Sequence, residues 1–173
     1  KLDIVTDESG NKVVLLPEII FSNKQNINWD NVEDYLGKYV GELIEIAETR
    51  DIIYIGNKFP DEYGGSSYTR KTKGARAKAK ANAAQGIREM VEIATDKVYR
   101  ENHKEKHSED AHNGWFYYVT RFAIPLYDNE KKTGEYNVYS ACLVVNHAAN
   151  GKMYLYDVVD IKKEASNPLK TIK

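Results

Sequence analysis

Three apolar, tyrosine-rich segments in the C-terminal half of the chain constrain the fold most. They cover about residues 115–127, 136–147 and 152–162, and they are separated by a loop at 129–134 and by the dipeptide Asn150-Gly151. Aromatic and β-branched residues are enriched in strands, and Asn-Gly between two such segments is a strong signal for a hairpin turn. The sequence therefore predicts an antiparallel β-meander in which each strand pairs with the next.

A two-residue loop at Asn150-Gly151 would also fix the register of the last hairpin. Ala149 would pair with Lys152, and alternation of side chains would then bring a set of facing pairs to one side of the sheet. These pairs are His147–Tyr154, Val145–Tyr156, Leu143–Val158, Ala141–Asp160 and Tyr139–Lys162. A three-residue loop would break this register.

The sequence of the N-terminal half predicts mainly helices. Residues 2–21 read as a β-hairpin around a turn-forming cluster at 7–11, and Asp30 with Glu33 forms a capping box for a helix whose apolar stripe continues to Ala47. A short strand at 51–56, a loop at 57–67 and a long helix at about 72–99, broken near Gly86, are expected to follow.

Helices followed by an antiparallel sheet place the chain in the α+β class. We expect three parts: a β-hairpin extension at 1–27, an α+β domain at 28–164, and a flexible tail at 165–173. The chain starts at Lys1 and not at a methionine, so we expect it to be a piece of a longer protein.

Composition narrows the classes of function. The net charge is −1, so nucleic-acid binding would have to come from a local basic patch. Cys142 is the only cysteine, which excludes an internal disulfide and a zinc site built on cysteines. The absence of an apolar run long enough to span a bilayer argues against a membrane partner and favours a cytoplasmic location.

The clearest local patch lies in the second helix. No acidic residue occurs between Glu62 and Glu89, whereas seven residues there are basic: Arg70, Lys71, Lys73, Arg76, Lys78, Lys80 and Arg88. Helical spacing aligns Lys73, Arg76 and Lys80, with the amides of Asn82 and Gln85 nearby. The preceding Gly64-Gly65-Ser66 could add backbone amides for a phosphate. These residues are candidates for nucleic-acid binding, and a solvated Lys/Ala-rich helix is the alternative.

Three further features could carry chemistry. His103 and His107 have a spacing that occurs in metal sites, but no third ligand is evident, so we predict no metal and no cofactor. A histidine can instead transfer protons near neutral pH, which makes His107 and His147 candidates. Arg121 lies within an aromatic strand and requires an anionic partner, either a carboxylate such as Asp157 or a substrate phosphate.

Several stretches together resemble a domain of very large polyvalent proteins that phages and conjugative elements of Firmicutes encode. They are Tyr-Gly-Gly-Ser at 63–66, Lys-Gly at 73–74, Ala-Lys-Ala-Lys-Ala-Asn-Ala-Ala-Gln-Gly-Ile at 77–87, Glu-Ile-Ala at 92–94, Glu-Lys-His at 105–107, Asp-Ala at 110–111, Gly-Trp at 114–115, Arg-Phe-Ala-Ile-Pro-Leu-Tyr-Asp at 121–128 and Ile-Lys-Lys-Glu at 161–164. The resemblance covers about residues 28–168. Such domains are placed near the barnase–EndoU–colicin–RelE superfamily of metal-independent endoribonucleases, whose helices precede an antiparallel sheet.

The resemblance implies RNA cleavage by a toxin-like or effector-like domain, with tRNA or mRNA as substrate and an immunity or antitoxin protein as partner. It would act in the cytoplasm of the producing or the recipient bacterial cell. Lys73, Lys80, His107, Arg121 and His147 are the matching motif residues. We expect His147 and His107 to transfer protons and Arg121 to stabilise the phosphorane. Tyr156 or Tyr154 is expected to stack on a base or to donate a hydrogen bond. Lys73, Arg76, Lys80, Asn82, Gln85 and Lys162 are the expected contacts to the strand.

Competing hypotheses remain open. A nucleic-acid-binding module without catalysis would bind in a salt-dependent manner and yield no product. A protein-interaction domain would use the tyrosine-rich sheet as a docking face and would tolerate charge reversal at Arg76 and Lys80. An ADP-ribosyl or nucleotidyl transferase is a third alternative, without a visible NAD-binding motif.

Overall fold

The computed structural model describes residues 1–22, 26–101, 113–164 and 167–171. Helices in this part of the chain are α1 (Trp29–Leu36), α2 (Phe59–Gly65), α3 (Ser67–Lys71), α4 (Gly74–Ala83) and α5 (Ile87–Glu92), with 3₁₀ turns at Gly37–Tyr39 and Ala84–Gly86. Strands are β1 (Ile4–Thr6), β2 (Lys12–Leu15), β3 (Leu43–Glu45), β4 (Ile52–Tyr54), β5 (Thr95–Arg100), β6 (Trp115–Asp128), β7 (Lys131–His147), β8 (Met153–Lys163) and β9 (Leu169–Lys170).

These strands form one mixed sheet, so the α+β class is confirmed. The order is β1-β2-β6-β7-β8-β4-β3, with β5 also pairing with β6 and β9 with β7. The long strands β6, β7 and β8 form the predicted antiparallel meander. Two pairings are parallel, β2 with β6 and β4 with β8. Through them, short strands from the N-terminal half are added to the two sides of the meander.

The predicted register of the last hairpin is wrong at its turn. Ala148 donates its N–H to the carbonyl of Lys152 at 2.9 Å, and His147 pairs with Met153 rather than with Tyr154. Gly151 has φ +85°, whereas Asn150 does not have a positive φ. A two-residue type I′ turn needs positive φ at both positions, so the chain forms a three-residue loop with glycine in the left-handed position.

A β-bulge in β8 then shifts the register by one residue. Val145 pairs with Leu155, but Val144 pairs with Asp157 and Leu143 with Val158, so Tyr156 is the extra residue. Leu143–Val158 is therefore the one predicted pair that the structure confirms. A second irregularity follows, with Ser140 opposite Lys162 and Tyr139 opposite Lys163. Bulges of this kind let two consecutive side chains face the same side of a sheet.

The helical half differs from the prediction at several boundaries. The first helix ends at Leu36, and Leu43–Glu45 is a strand that pairs with β4, so the apolar stripe to Ala47 was wrongly assigned to a helix. The segment predicted as a loop contains α2, with Pro60 in its first turn. The long helix stops at Glu92, and Thr95–Arg100 pairs with β6 instead. Short apolar runs fit a strand and a helix equally well, and the sheet decides between them.

The helices pack on one side of the sheet and form the main core with it. Alternate residues of β6, β7 and β8 face this layer, among them Phe122, Leu143 and Val158, which are fully or almost fully buried. Ala79, Ala81 and Ala83 of α4 belong to the same core, as does Ala84 of the following 3₁₀ turn, and all four are at 0% exposure. Small side chains therefore allow this helix to lie close to the sheet, rather than leaving room for a phosphate backbone.

The N-terminal hairpin is part of this sheet. Val14 and Leu15 of β2 pair with Phe122 and Ala123 of β6, and Val14 is buried in the main core. The segment predicted as a flexible tail contains β9, which pairs with Glu135 and Tyr136 of β7.

Candidate functional site

The basic segment is exposed only in its first part. Arg70, Lys71, Lys73 and Arg76 are exposed and lie at the end of α3 and the start of α4. A shallow cleft there is lined by Tyr68, Lys71, Thr72, Lys73, Ala75 and Arg76. Lys73 and Arg76 thus remain candidates for contact with a phosphate backbone.

Lys80 is buried and cannot contact nucleic acid, contrary to the prediction. Its side chain is at 0% exposure, and its Nζ lies 2.6 Å from Oδ1 of Asp157. The ammonium also lies over the rings of Tyr63 and Tyr68, at 4.6 and 5.0 Å from their centroids. Burial lowers the pKa of Lys80 and raises the pKa of Asp157, while the attraction between the two groups offsets part of each shift. The pair connects α4 to the bulge of β8.

Asn82 and Gln85 are structural as well. Oδ1 of Asn82 accepts the N–H groups of Ile20 and Phe21 at 2.8 and 3.1 Å, and its Nδ2 donates to the carbonyl of Phe21 at 2.9 Å. Nε2 of Gln85 donates to the carbonyl of Glu18 at 2.9 Å. Both residues are buried and fix the chain that follows β2, so neither reaches a surface where a nucleic acid could bind.

Of the two histidines predicted to transfer protons, only His147 lies within the described residues. His107 lies outside the described residues, as do His103 and His112. His147 ends β7 on the helical side of the sheet, where its ring lies 5.6 Å from that of Phe116. The prediction that His147 shares a face with Tyr154 and Tyr156 is therefore wrong, because the three-residue loop reverses their relation.

The opposite side of β5–β8, which we call the outer face, carries most of the remaining candidates. Residues directly opposite one another on paired strands share a face. One cross-strand row contains Arg100, Trp115, Asn146, Tyr154 and Tyr54. A second row, two residues further along β6, contains Val98, Tyr117 and Val144, and Tyr156 packs beside it.

Aromatic rings concentrate at one end of the outer face. Tyr156 meets Trp115 edge-to-face at 5.0 Å, and Tyr154 lies 5.7 Å from Tyr54. The guanidinium of Arg100 lies 5.7 Å from the ring centroid of Tyr117. Trp115, Tyr117, Val144, Tyr156 and Val159 form a small cluster made only of strand residues. The described helices therefore do not contribute to this cluster.

Polar groups concentrate at the other end. Arg121, Ser140 and Lys162 form one cross-strand row on β6, β7 and β8. The anionic partner of Arg121 is Glu164, whose Oε1 lies 3.1 Å from its Nε, and not Asp157. The side chains of this pair are 21% and 35% exposed, so both remain accessible. One face of the sheet thus carries three residues that were predicted separately from the sequence: Arg121, Lys162 and Tyr156.

A cleft of about 290 Å³ opens at the aromatic end of the outer face. Its walls come from the segment between β4 and α2 and from the ends of β7 and β8, with Glu62, Asn146, Tyr154 and Tyr156 among its lining residues. Asn146 is only 7% exposed, and its Oδ1 has no hydrogen-bond partner. Buried polar atoms are nearly always paired, and this oxygen shares its unpaired state with Oε1 of Glu92 among the described residues.

Sequence reasoning missed Asn146, Glu164, Arg100 and Trp115. A strand asparagine among valines was the available signal for Asn146, because strands are depleted in asparagine. Arg100 was assigned to a helix end, which concealed its relation to Trp115. Glu164 follows the last strand, and only the register across β8 reveals that it reaches Arg121.

The described residues contain no group of three or more His, Cys, Asp and Glu side chains arranged to hold a metal ion. None of the helices in the described ranges is long and apolar enough to cross a membrane. Burial raises the pKa of Cys142 to about 11, so this thiol is predominantly protonated at neutral pH and is a weak nucleophile.

Comparison of the chain with protein-family models, with curated proteins and with solved structures found no significant match.

Proposed function

We propose that this domain binds single-stranded RNA on its outer face and cleaves it without a metal ion. The observation that carries the proposal is the cross-strand row of Arg100, Trp115, Asn146, Tyr154 and Tyr54, next to Tyr117 and Tyr156. Proteins hold single-stranded RNA by stacking unpaired bases on aromatic rings and on arginine planes. The half-buried rings of Tyr54, Tyr117, Tyr154 and Tyr156 provide such stacking surfaces, whereas Trp115 is buried and supports Tyr156.

Cationic groups continue this surface for the phosphate backbone. Arg121 and Lys162 lie in one row, about 20 Å along β6 from Trp115 at ~3.3 Å per residue. The exposed basic segment adjoins the same end, since the hydroxyl of Tyr68 accepts the N–H of Ile161, the neighbour of Lys162, at 2.9 Å. A strand crossing the outer face could therefore pass from the rings to Arg121 and on to Lys73 and Arg76.

The same polar row suggests the chemistry. A base takes the proton of a 2′-hydroxyl, the oxygen attacks the adjacent phosphorus, and an acid protonates the departing 5′-oxygen, which yields a 2′,3′-cyclic phosphate and a 5′-hydroxyl. Glu164 supplies a carboxylate as base, and Arg121 beside it stabilises the additional charge on the phosphorane. His107 is the candidate acid. This scheme agrees with the resemblance to a domain of polyvalent proteins that is placed near a superfamily of metal-independent endoribonucleases, for which a protecting partner protein would be expected.

The decisive experiment incubates total RNA with the protein in EDTA and maps the ends of any products. We expect cyclic-phosphate ends, and we expect Arg121→Gln to abolish them. Arg88→Gln is the matched control, because Arg88 also pairs with a glutamate, Glu42, but lies in α5 on the helical side. Binding without any product would instead favour a non-catalytic RNA-binding module, and no binding would refute the proposal.

His147→Ala tests the earlier assignment within the same assay. Because His147 lies on the helical side beside Phe116, we expect this variant to retain cleavage, whereas His107→Ala should lose it. If a folded His147→Ala variant lost cleavage, His147 at the end of β7 would again be the candidate for proton transfer.

A further inference from the structure

We propose that the buried contact between Lys80 and Asp157 positions the rings that bind RNA bases. The contact holds the bulge in β8 and thereby keeps Tyr154 and Tyr156 on the outer face. Lys80 is accordingly a positioning residue, which does not touch the substrate itself. The inference rests on the proposed function for the role of the two rings, whereas the pairing of β8 with β7 can be measured without RNA.

The bulge sets which side chains of β8 face outward. In a regular strand, residues on the same face are separated by an even number of positions. Leu155 and Val158 both belong to the main core although they are three positions apart, so one residue between them breaks the alternation. Tyr156 is this extra residue, and it lies beside Trp115 on the outer face.

A competing register has no bulge. It would keep the pairing of Val158 with β7 and continue regularly from there to a two-residue loop at Asn150-Gly151. Alternation from Val158 would then turn Tyr154 and Tyr156 towards the helices. Asp157 would instead face outward. A slip of one residue would thus exchange the two sides of the sheet for this whole stretch of β8.

The local sequence favours the competing register. Asn-Gly is a preferred dipeptide of two-residue type I′ loops, and such a loop fits the regular register alone. The chain instead forms a three-residue loop, in which Asn150 does not have a positive φ. We therefore infer that a contact from outside the hairpin stabilises the bulged register.

Lys80 supplies such a contact from α4. Its Nζ lies 2.6 Å from Oδ1 of Asp157, and the two side chains are 0% and 4% exposed. The same carboxylate oxygen accepts the N–H of Val158 at 2.8 Å, where the strand continues into the core. In the regular register Asp157 would face outward and leave the ammonium buried without a carboxylate, which is strongly unfavourable. Fixing a register is the best-supported role of buried polar and ionic groups, whose net effect on stability is small.

The test compares two double variants that lack both charges. In Lys80→Met with Asp157→Thr, a polar side chain replaces the carboxylate and no longer meets an ammonium in the core. We expect this threonine to face water, so that β8 adopts the regular register. Lys80→Met with Asp157→Leu is the matched control, because the apolar leucine remains buried at the same position and should retain the bulge.

NMR reads the register through nuclear Overhauser contacts across the strands. In the wild type and the leucine variant, Tyr154 should lie opposite Asn146, with Tyr156 beside Trp115. In the threonine variant we expect Tyr154 opposite His147 and no contact between Tyr156 and Trp115. If the two folded variants have the same register, whether bulged or regular, the inference is overturned.

Fluorescence anisotropy with labelled RNA hexamers relates the register to binding. We expect the threonine variant to bind about tenfold more weakly than the wild type, because stacking surfaces are lost from the outer face. The leucine variant should bind like the wild type. A threonine variant with a regular register and undiminished binding would refute the positioning role and leave the proposed function intact. Wild-type protein that binds no hexamer would refute the proposed function, and the NMR contacts would still decide what holds the register.

Discussion

Nζ of Lys80 lies 2.6 Å from Oδ1 of Asp157, with both side chains almost fully buried between α4 and β8. The carboxylate also accepts the N–H of Val158 at 2.8 Å, and the carbonyl of Lys80 accepts a hydrogen bond from Tyr63. This pair occupies the position where the sequence suggested contact with nucleic acid. It orders the fold and leaves the substrate surface to other residues.

We expect Lys80→Met alone to destabilise the protein by about 3–5 kcal/mol, because Asp157 would remain as a buried unpaired charge. The double variant Lys80→Met with Asp157→Leu should recover most of this loss, since neither charge remains. Urea unfolding of the single and double variants measures both effects. Equal destabilisation in the single and the double variant would contradict the explanation.

Asn82→Ala should release the segment that follows β2. The substitution removes the acceptor for the N–H groups of Ile20 and Phe21, so we expect faster hydrogen exchange at these two amides and a loss of about 2 kcal/mol. Asn82→Asp keeps the acceptor oxygen for these N–H groups but loses the donor to the carbonyl of Phe21, so it should protect the two amides better than alanine does without restoring full stability. Unchanged exchange at Ile20 and Phe21 in Asn82→Ala would show that contacts other than those of Asn82 hold this segment in place.

Glu33 makes stability dependent on pH. Burial, together with a hydrogen bond and repulsion from Asp61, raises the pKa of Glu33 from 4.5 to about 7. The folded protein therefore holds a proton that the unfolded chain releases, so this contribution to stability is complete below pH 4.5 and is lost as pH rises through about 7. Glu33→Gln should remove this dependence on pH, because glutamine, like the protonated acid, carries no charge.

The measurement compares urea unfolding of wild type and Glu33→Gln at pH 5 and pH 8. We expect the variant to gain stability relative to wild type at the higher pH. An identical difference at both pH values would mean that Glu33 does not titrate in this range.

Gly114 precedes β6 with φ +97°, and a Cβ there would lie 2.7 Å from Cε1 and from the hydroxyl oxygen of Tyr99, and 2.8 Å from the carbonyl oxygen of Arg100. Gly114→Ala should therefore destabilise by more than the ~1 kcal/mol expected from backbone strain alone. Gly10→Ala is the matched control, since Gly10 has φ +86° with no atom within 4 Å of the added methyl group. Thermal unfolding that shifts equally in both variants would exclude the steric contribution.

The long strands were predictable because their composition and turn signals are local. Asn150-Gly151 located the last hairpin, but the number of residues in its loop depends on the backbone angle of Asn150, which composition does not determine. The loop length in turn decides which residue of β8 lies opposite His147, Met153 or Tyr154. The bulge at Tyr156 was not predictable either. It places Asp157 against the buried Lys80, and this contact joins residues that are far apart in the sequence.

The candidate site shows the same division. Arg121, Tyr156 and Lys162 were identified from residue type, because an arginine in an aromatic strand is unusual wherever the strand lies. Lys80 was misassigned because its helical spacing with Lys73 and Arg76 matched a basic stripe, whereas the helix turns it towards a carboxylate 77 positions away. Contacts between residues so far apart in the sequence depend on the tertiary fold, and a local pattern does not predict them.

The extra residue in β8 has a consequence for how this face can vary. It separates a stretch that borders the cleft, Met153–Leu155, from a stretch that carries Lys162, and each keeps its own register with β7. A change in the length of the loop at 149–151 could therefore be absorbed at the bulge without moving the row of Arg121. The aromatic end of the outer face and the row of Arg121 would then be able to vary independently of each other.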